Sequence, residues 1–301
     1  MNIILSQLFF LYIFILLGYF LGKVKKDLNV HTSMLSFLAV NVFLPAKVFG
    51  SFSTYFTVSY ISGNYKLLLI SVSLLMLLHL AGKLAGKLLK GKGIEKGVYE
   101  YTVTISNYGY MGYALVEGVF GSMALTDMIL FCLPFSLYTY TIGYVKLTGG
   151  KISPKRLLNP TTMASFIGMI VGLTGLQLPD VVGKVMASAS SCVGPVTMLL
   201  TGLTLSEFTL RRMLGDGKVY IMTAIRLVVL PLMVFLLFRG LRLEALMASA
   251  LLMAAMPSGL NTIIFPKNIG ASPELGAKLA LVTHAFSCIT LPVWLWLLQC
   301  G

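Results

Sequence analysis

The residues best suited to binding chemistry lie in two polar stretches within otherwise apolar sequence. The first is Ser106-Asn-Tyr-Gly-Tyr-Met-Gly112 and the second is Met256-Pro-Ser-Gly-Leu-Asn261. Glycine weakens a helix, and proline removes a backbone donor and clashes with the preceding turn. Each stretch is therefore predicted to break a helix, and its serine and asparagine side chains are candidate ligand contacts.

A broken helix exposes unpaired backbone groups at both of its new ends. The half-helices that begin near Gly112 and near Asn261 would direct N–H groups, and about half a positive charge each, toward the break, which suits an anion. The carbonyl ends opposite them would suit a cation, so the breaks alone leave the sign of the ligand open. The candidate substrate-binding residues at the breaks are Ser106, Asn107, Gly109, Gly112, Pro257, Ser258 and Asn261, and Gly259 is a further helix-breaking position.

Arg226 adds a charge to this region. It lies inside the apolar stretch 218–238, where an unpaired guanidinium costs about 3 kcal/mol or more. No aspartate lies deep in an apolar stretch, and the glutamates within one are Glu100 and Glu117. The deep charge is thus positive, which favours an anionic ligand. Arg226 is predicted to bind substrate or to orient the broken helices; a structural role, in which it binds backbone carbonyls, stays equally open.

Other polar residues of the apolar stretches are weaker candidates. The amide of Asn41 must find a partner within the membrane, and a binding role and a packing role are equally open for it. Glu117 could carry a coupling proton, although a solvated position is favoured. The histidines fall in three separate stretches, so each is interpreted as a lone satisfied side chain. They are His31, His79 and His284.

The composition decides the class of protein. The 301 residues are 57% hydrophobic and 11% charged, with a mean hydropathy of +0.89, which is too apolar for a water-soluble domain. A membrane-spanning helix takes about 20 residues, so the chain has room for about ten spans. The predicted fold is an all-α polytopic membrane protein with ten transmembrane helices, near 3–22, 31–51, 65–84, 97–119, 124–145, 160–177, 181–205, 218–238, 244–265 and 276–299.

The basic residues indicate how these spans are oriented. The chain holds 23 Lys and Arg against 10 Asp and Glu. Most of the basic residues lie in odd-numbered connections between the spans, which places those connections in the cytoplasm and both termini outside it. The excess is therefore a topology signal, and no nucleic-acid partner is predicted. The four cysteines show no metal-ligand spacing, so no metal or cofactor is predicted either.

Two pairs of helix-breaking residues recur about half the chain apart. They are Pro45 with Pro195 and Gly121 with Gly270. Half of ten spans is an odd number, so a duplication of the first half would place its copy upside down in the membrane. The sequence therefore predicts two inverted five-helix repeats, the first over residues 1–150 and the second over residues 151–301.

A set of ordered motifs resembles a known family. The motifs are Asn41-Val-Phe-Leu-Pro45, SNYGYMG from Ser106, Asn159-Pro160, Arg226 followed by Pro231, and MPSGLNTIIF from Met256 running on to Thr290-Leu-Pro292. Together they resemble the auxin efflux carrier family over nearly the whole chain. Bacterial malate and malonate permeases are more similar than plant hormone carriers, many of which have a long cytoplasmic insert that this chain lacks.

The resemblance implies an architecture and several residue roles. It implies crossed broken helices 4 and 9, a transport domain of helices 3–5 and 8–10 that moves against a scaffold of helices 1, 2, 6 and 7, and a homodimer through the scaffold. Asn107 matches the family's crossover asparagine and Pro257 its crossover proline. Pro45 and Pro195 match its scaffold prolines. Span 4 here has glycines where the family has a proline.

The predicted function is a secondary transporter. It would move a small carboxylate such as malate, malonate or an auxin-like acid across the cell membrane by elevator-like alternating access. A sodium- or proton-coupled carrier of another solute, and a membrane receptor without transport, stay open as alternatives. An intramembrane enzyme is disfavoured, because the chain lacks deep paired aspartates and a His–Cys cluster.

Overall fold

The structure, a computed structural model, describes residues 2–25, 32–209 and 213–300. Every regular element in these ranges is helical. The β-type contact within them is an isolated antiparallel bridge between Ser106 and Ser258. The predicted all-α class is therefore confirmed for the described part of the chain.

The first half of the chain forms long helical rods. Its helices are α1 (Asn2–Val24), α2 (Thr32–Leu38), α3 (Leu44–Tyr55), α4 (Val58–Leu88), α5 (Gly93–Thr104), α6 (Tyr113–Tyr138) and α7 (Tyr144–Thr148). A π-helical turn widens the helix without ending it. One such turn, Ala39–Phe43, joins α2 to α3, and another, Thr139–Gly143, joins α6 to α7. A third, Tyr108–Gly112, precedes α6.

The second half of the chain is built in the same way. After a 3₁₀ turn at Pro154–Leu157, its helices are α8 (Pro160–Thr174), α9 (Asp180–Ser191), α10 (Val193–Ser206), α11 (Gly217–Ala224), α12 (Leu230–Gly240), α13 (Glu244–Ala255), α14 (Asn261–Asn268) and α15 (Glu274–Cys300). A π-helical turn at Ile225–Val229 joins α11 to α12.

Several of these helices could span a membrane. Within the described ranges, seven helical runs are long and apolar enough to cross a membrane; they are Asn2–Val24, Thr32–Tyr55, Val58–Leu88, Tyr108–Thr148, Asp180–Ser206, Gly217–Gly240 and Glu274–Leu298. Two shorter apolar helices are Pro160–Thr174 and Leu246–Ala255. Large apolar side chains project outward from the rods, including Phe9, which is 70% exposed. An apolar exterior of this extent is typical of a multi-pass membrane protein. The count of ten spans and the inverted repeat stay predictions.

Gly121 divides α6 into two segments. Its φ of 85° and ψ of 179° are not helical, although the hydrogen-bonded chain continues on both sides. Positive φ is easily adopted only by glycine, which has no Cβ to clash with the backbone. The predicted end of span 4 at residue 119 and the predicted start of span 5 at residue 124 lie on either side of this kink.

Helices α1 and α10 pack with their backbones in close approach. A Cβ added to Gly202 would lie 2.0 Å from the carbonyl oxygen of Ile15, and one added to Gly18 would lie 2.1 Å from that of Leu199. Small residues that allow such approach are typical of helix pairs in membranes, where packing rather than water exclusion drives association.

We expect Gly202→Ala to destabilise the protein, because the new methyl group would force α1 and α10 apart. Overpacking of this kind costs about 1–3 kcal/mol. The midpoint of thermal unfolding in detergent measures the effect. Gly63→Ala is the matched control, since a Cβ at helical Gly63 meets no atom within 4 Å. Equal midpoints for the two variants would contradict the close packing.

Candidate substrate-binding site

The first predicted break lies between α5 and the π-helical turn that precedes α6. Helix α5 ends at Thr104, and the helical chain resumes at Tyr108. The prediction placed the new half-helix near Gly112, which is one turn too late. The reason is that the carbonyl of Asn107 accepts the N–H groups of both Met111 and Gly112, each at 3.1 Å, and so holds this glycine-containing segment in a π-helical turn.

The second predicted break lies between α13 and α14. Helix α13 ends at Ala255, Met256 is extended, and α14 begins at Asn261 as predicted. Among the described residues, no side chain caps the start of α14 or of the π-helical turn at Tyr108. The first N–H groups of a helix have no partner in its own backbone. Both half-helices therefore begin without a side-chain acceptor.

The two breaks pair with each other. The N–H of Asn107 donates to the carbonyl of Pro257 at 2.8 Å, and Ser106 and Ser258 form the antiparallel bridge. Gly259 allows the close approach, since a Cβ there would lie 3.2 Å from the carbonyl oxygen of Ser106. An unpaired backbone group in a membrane costs several kcal/mol, so this pairing makes the unwound segments tolerable.

Arg226 satisfies the carbonyl ends of both broken helices. Its side chain is fully buried in the π-helical turn between α11 and α12. Nε donates to Met256 at 3.0 Å and Nη2 to Met253 at 2.9 Å, both at the end of α13. Nη1 donates to Val103 at 3.0 Å and to Thr102 at 3.4 Å, both at the end of α5. The guanidinium thus connects the two carbonyl ends.

This geometry selects between the two roles considered for Arg226. Its donors are directed at backbone carbonyls, and it is not among the walls of the cavities described below. The guanidinium therefore bonds backbone carbonyls at both broken helices, the structural role considered for it, and does not line the cavities. The carbonyl ends face a positive charge, whereas Tyr108 and Asn261, at the amide ends, line the small cavity.

A small cavity lies where the breaks meet. It measures about 60 Å³. Its walls come from both breaks and from α3, α6, the following π-helical turn and α8, and they are Leu44, Ile105, Ser106, Asn107, Tyr108, Gly109, Tyr110, Tyr113, Ser136, Thr139, Tyr140, Thr161, Gly259, Leu260 and Asn261. The hydroxyl of Ser106 is buried and has no hydrogen-bonding partner among the described residues. An unpartnered buried hydroxyl in a cavity wall is available to a ligand.

A wider cavity of about 360 Å³ adjoins the small one. The two cavities share Tyr110, Tyr140 and Asn261 as walls. The remaining walls of the wide cavity come from α2, the π-helical turn that follows it, α10 and α14, and they reach Lys267 and Asn268. The small cavity therefore has a route toward the end of the bundle at which α14 ends.

The structure brings some of the predicted site residues to this cavity and places others elsewhere. Ser106, Asn107, Gly109, Gly259 and Asn261 line the small cavity.

The other predicted break residues support the walls from behind. Gly112 packs against Met128 and Met256, at distances of 3.2 and 3.4 Å from an added Cβ. Pro257 contributes its carbonyl to Asn107. Ser258 does not line the cavity; its N–H donates to the hydroxyl of Thr283 at 3.0 Å, and its own hydroxyl lies 3.4 Å from that of Thr102.

The predicted residues outside the breaks lie on the helices that face the site. Asn41 lines the wide cavity, and its amide donates to the carbonyl of Phe37 at 2.8 Å, one turn earlier in the same rod. Pro45 follows the π-helical turn Ala39–Phe43 in the first turn of α3. Pro195 lies in the first turn of α10, directly after α9 ends at Ser191.

Comparison with known proteins identifies a family of membrane transport proteins. A family described as membrane transport protein matches residues 3–154 and 147–295. The chain belongs to the auxin efflux carrier family. An uncharacterized transporter of Methanothermobacter thermautotrophicus is 26% identical over 295 residues, covering 94% of each chain. An uncharacterized transporter of Methanocaldococcus jannaschii is 26% identical over 302 residues, covering 95% of this chain and 96% of its own length.

In this member of the auxin efflux carrier family, two residues that sequence reasoning missed contact the asparagines of the breaks. The amide of Asn261 donates to the hydroxyl of Tyr101 at 3.1 Å. The amide nitrogen of Asn107 lies 3.0 Å from Nε2 of His284, which had been interpreted as a lone side chain. Asn107 and His284 are 177 positions apart, so no local pattern could reveal the contact. His79 bonds Tyr138, and His31 lies outside the described residues.

We expect Arg226→Met to destabilise the carrier severely, since the carbonyls at both breaks would lose their donor. Each buried group left without a partner costs about 1–3 kcal/mol. Arg226→Lys should also be unstable, because one ammonium cannot reproduce the fork that reaches four carbonyls. The midpoint of thermal unfolding in detergent measures both changes.

The matched control is Arg239→Met, which changes an exposed arginine of the neighbouring helix α12. It should unfold at the wild-type temperature. A wild-type midpoint for Arg226→Met would show that the carbonyl ends do not need the guanidinium.

Proposed function

We propose that this membrane transporter moves a small carboxylate anion across the cell membrane by secondary transport. The observation that carries the proposal is the asymmetry at the breaks. Arg226 occupies the carbonyl ends of both broken helices, whereas the amide ends lack a side-chain cap and border the cavity. A cation would need the carbonyls that the guanidinium already uses. An anion would find the amide ends available.

The charge of the cavity walls supports the same sign of ligand. No Asp or Glu is among the described walls of the small or the wide cavity. Each half-helix start carries the equivalent of about half a positive charge. The cationic wall residue of the wide cavity, Lys267, is paired with Glu207 at 2.8 Å. The amide ends therefore dominate the field in the small cavity.

The donors at the cavity suit a carboxylate. The hydroxyl of Ser106 has no partner among the described residues, and the backbone N–H groups at the uncapped starts Tyr108 and Asn261 lie in the same cavity wall. Hydrogen bonds from such donors to a charged oxygen are stronger than those to a neutral acceptor. A cavity of about 60 Å³ favours a compact ligand. Malonate and malate fit this chemistry better than a bulky acid does.

Alternating access follows from the position of the cavities in the proposed topology. With the basic connections in the cytoplasm, both termini are extracytoplasmic and the wide cavity opens inward near Lys267. On the other side, the buried Lys47 of α3 is paired with Glu117 of α6, and the Ser51 and Thr126 hydroxyls are 2.7 Å apart. These contacts join the two proposed bodies and would separate when the site opens outward.

The proposed bodies are the domains expected from the family. Helices α1–α3 and α8–α10 form the scaffold, and α4–α7 and α11–α15 form the transport domain that contains both breaks. Two inverted repeats over 1–150 and 151–301, each with five spans, and a scaffold homodimer complete the proposed architecture. An apolar groove on α3, α8 and α9 that includes Pro45 and Pro160 supports a contact through the scaffold.

The proposal is tested by uptake of labelled malate, malonate and indole-acetate into proteoliposomes, in sodium and in potassium buffers. We expect saturable uptake of a small dicarboxylate and a ligand-induced rise in the unfolding temperature. Ser106→Ala should weaken binding about tenfold, because the lost hydrogen bond to a charged group contributes about 1.5 kcal/mol.

Thr290→Val is the matched control for Ser106→Ala. Its hydroxyl is also buried without a partner among the described residues, but Thr290 does not line the cavity. Binding should be unchanged in this variant. Strict sodium dependence would favour a cation-coupled carrier instead, and binding without any flux would favour a receptor. Neither binding nor uptake of any of the three acids would contradict the proposal.

A moving transport domain can be arrested by a crosslink. After replacement of the native cysteines, Ser51→Cys combined with Thr126→Cys should form a disulfide, since the two hydroxyls are 2.7 Å apart. Oxidation should abolish uptake and leave malate binding intact from the inner side, and a reductant should restore uptake. Full uptake in the oxidised protein would show that α3 and α6 do not separate during transport.

A further inference from the structure

His284 is a buried ionisable group that contacts the site without lining it. It lies on α15, is 2% exposed, and uses both ring nitrogens. Nδ1 lies 2.7 Å from the carbonyl oxygen of Ala280, and Nε2 lies 3.0 Å from the amide nitrogen of Asn107. A carbonyl can only accept, so Nδ1 must carry its hydrogen.

The state of the ring determines how the amide is oriented. In the neutral ring Nε2 is an acceptor, and the NH₂ group of Asn107 donates to it. The amide then turns its oxygen away from His284. In the protonated ring Nε2 becomes a donor, so the amide must rotate and present its oxygen to the ring. Its NH₂ group is then directed away from His284, and Asn107 is a wall of the small cavity.

We propose that His284 couples anion binding to the uptake of one proton by switching the amide of Asn107 from acceptor to donor toward the cavity. The inference rests on the proposed function of the cavity as an anion site. One proton from water binds Nε2 of the imidazole, the amide rotates, and no covalent bond of the substrate changes. His284 acts as a positioning residue, because its contact with the ligand runs through Asn107.

The surroundings of the ring make this proton depend on the anion. The ionisable groups near it are Tyr12 of α1, whose hydroxyl contacts the carbonyl of His284 at 3.2 Å, and Cys288 on the same helix. Arg226, on the π-helical turn packed against α15, is a fixed positive charge committed to the same breaks. Among the described residues, no Asp or Glu bonds the ring.

A buried imidazolium without a counterion is costly. A carboxylate in the adjoining cavity would supply that counterion. Coupling of this kind is reciprocal, so a proton that strengthens anion binding is itself bound more tightly once the anion is present. The carrier would then move the anion and the proton together.

The coupling is tested by calorimetric titration of the full-length protein with malate between pH 6.5 and 8.5, in two buffers with different ionisation enthalpies. Malate stays a dianion in this range, so its own titration does not contribute. We expect uptake of about one proton per malate and a fall in affinity of about tenfold per pH unit toward alkaline pH. His284→Gln should bind malate without proton uptake and without this pH dependence.

The controls separate the coupling from the site itself. His79→Gln changes a histidine that bonds Tyr138 on α6, away from the breaks, and should keep the wild-type proton count. Malate binding without proton uptake in the wild type would overturn the coupling and leave the anion site standing. Proton uptake that survives in His284→Gln but is lost in Glu117→Gln would also overturn the coupling through His284.

Two further outcomes decide the proposal. If no carboxylate binds at any pH, the anion site and the coupling fail together. If His284→Gln does not fold, His284→Asn takes its place, and the wild-type proton count alone still decides the coupling.

Discussion

One buried guanidinium holds the centre of this protein together. Arg226 donates to the carbonyl ends of α5 and α13, two helices that stop inside the bundle and so leave acceptors that no helical turn can satisfy. Interrupted backbone in an apolar medium is stable only where protein groups or a wet cavity supply partners. The guanidinium supplies them for both breaks at once, and the N–H of Asn107 donates to the carbonyl of Pro257 across the two breaks.

The electrostatic character of the cavity follows from the same contact. A broken helix has two oppositely polarised ends, and a symmetric pair of breaks would offer a ligand both signs. With the carbonyl ends engaged by Arg226, the uncapped starts at Tyr108 and Asn261 give the cavity a net positive character. The cavity walls need no cationic side chain for this, because the helix starts are themselves part of the walls and Arg226 lies one layer behind them.

That second layer also holds the group proposed to change state. Arg226 has a constant charge and fixes the backbone, whereas His284 can gain a proton and acts on the Asn107 amide. A layer of fixed and titratable groups behind neutral walls would let a carrier couple two solutes without placing an ionisable side chain against the substrate. In the proposed mechanism, the contacts between α3 and α6 on the opposite side of the site take part in the conformational change rather than in binding.

The sequence by itself determined the class and the places where the fold is interrupted. Apolar runs of bilayer length predict helices, and Gly and Pro within them predict breaks, because both signals are local; the break before Asn261 is predicted in this way, whereas Gly121 falls between two predicted spans and forms a kink inside one helix. The start of the first half-helix was placed a turn too late, since the π-helical turn depends on two N–H groups converging on one carbonyl. Only the tertiary structure decided that Arg226 bonds carbonyls and that His284 meets Asn107. The contacts of Arg226 with Val103 and of His284 with Asn107 join residues more than 100 positions apart, and their geometry depends on how separate helices pack.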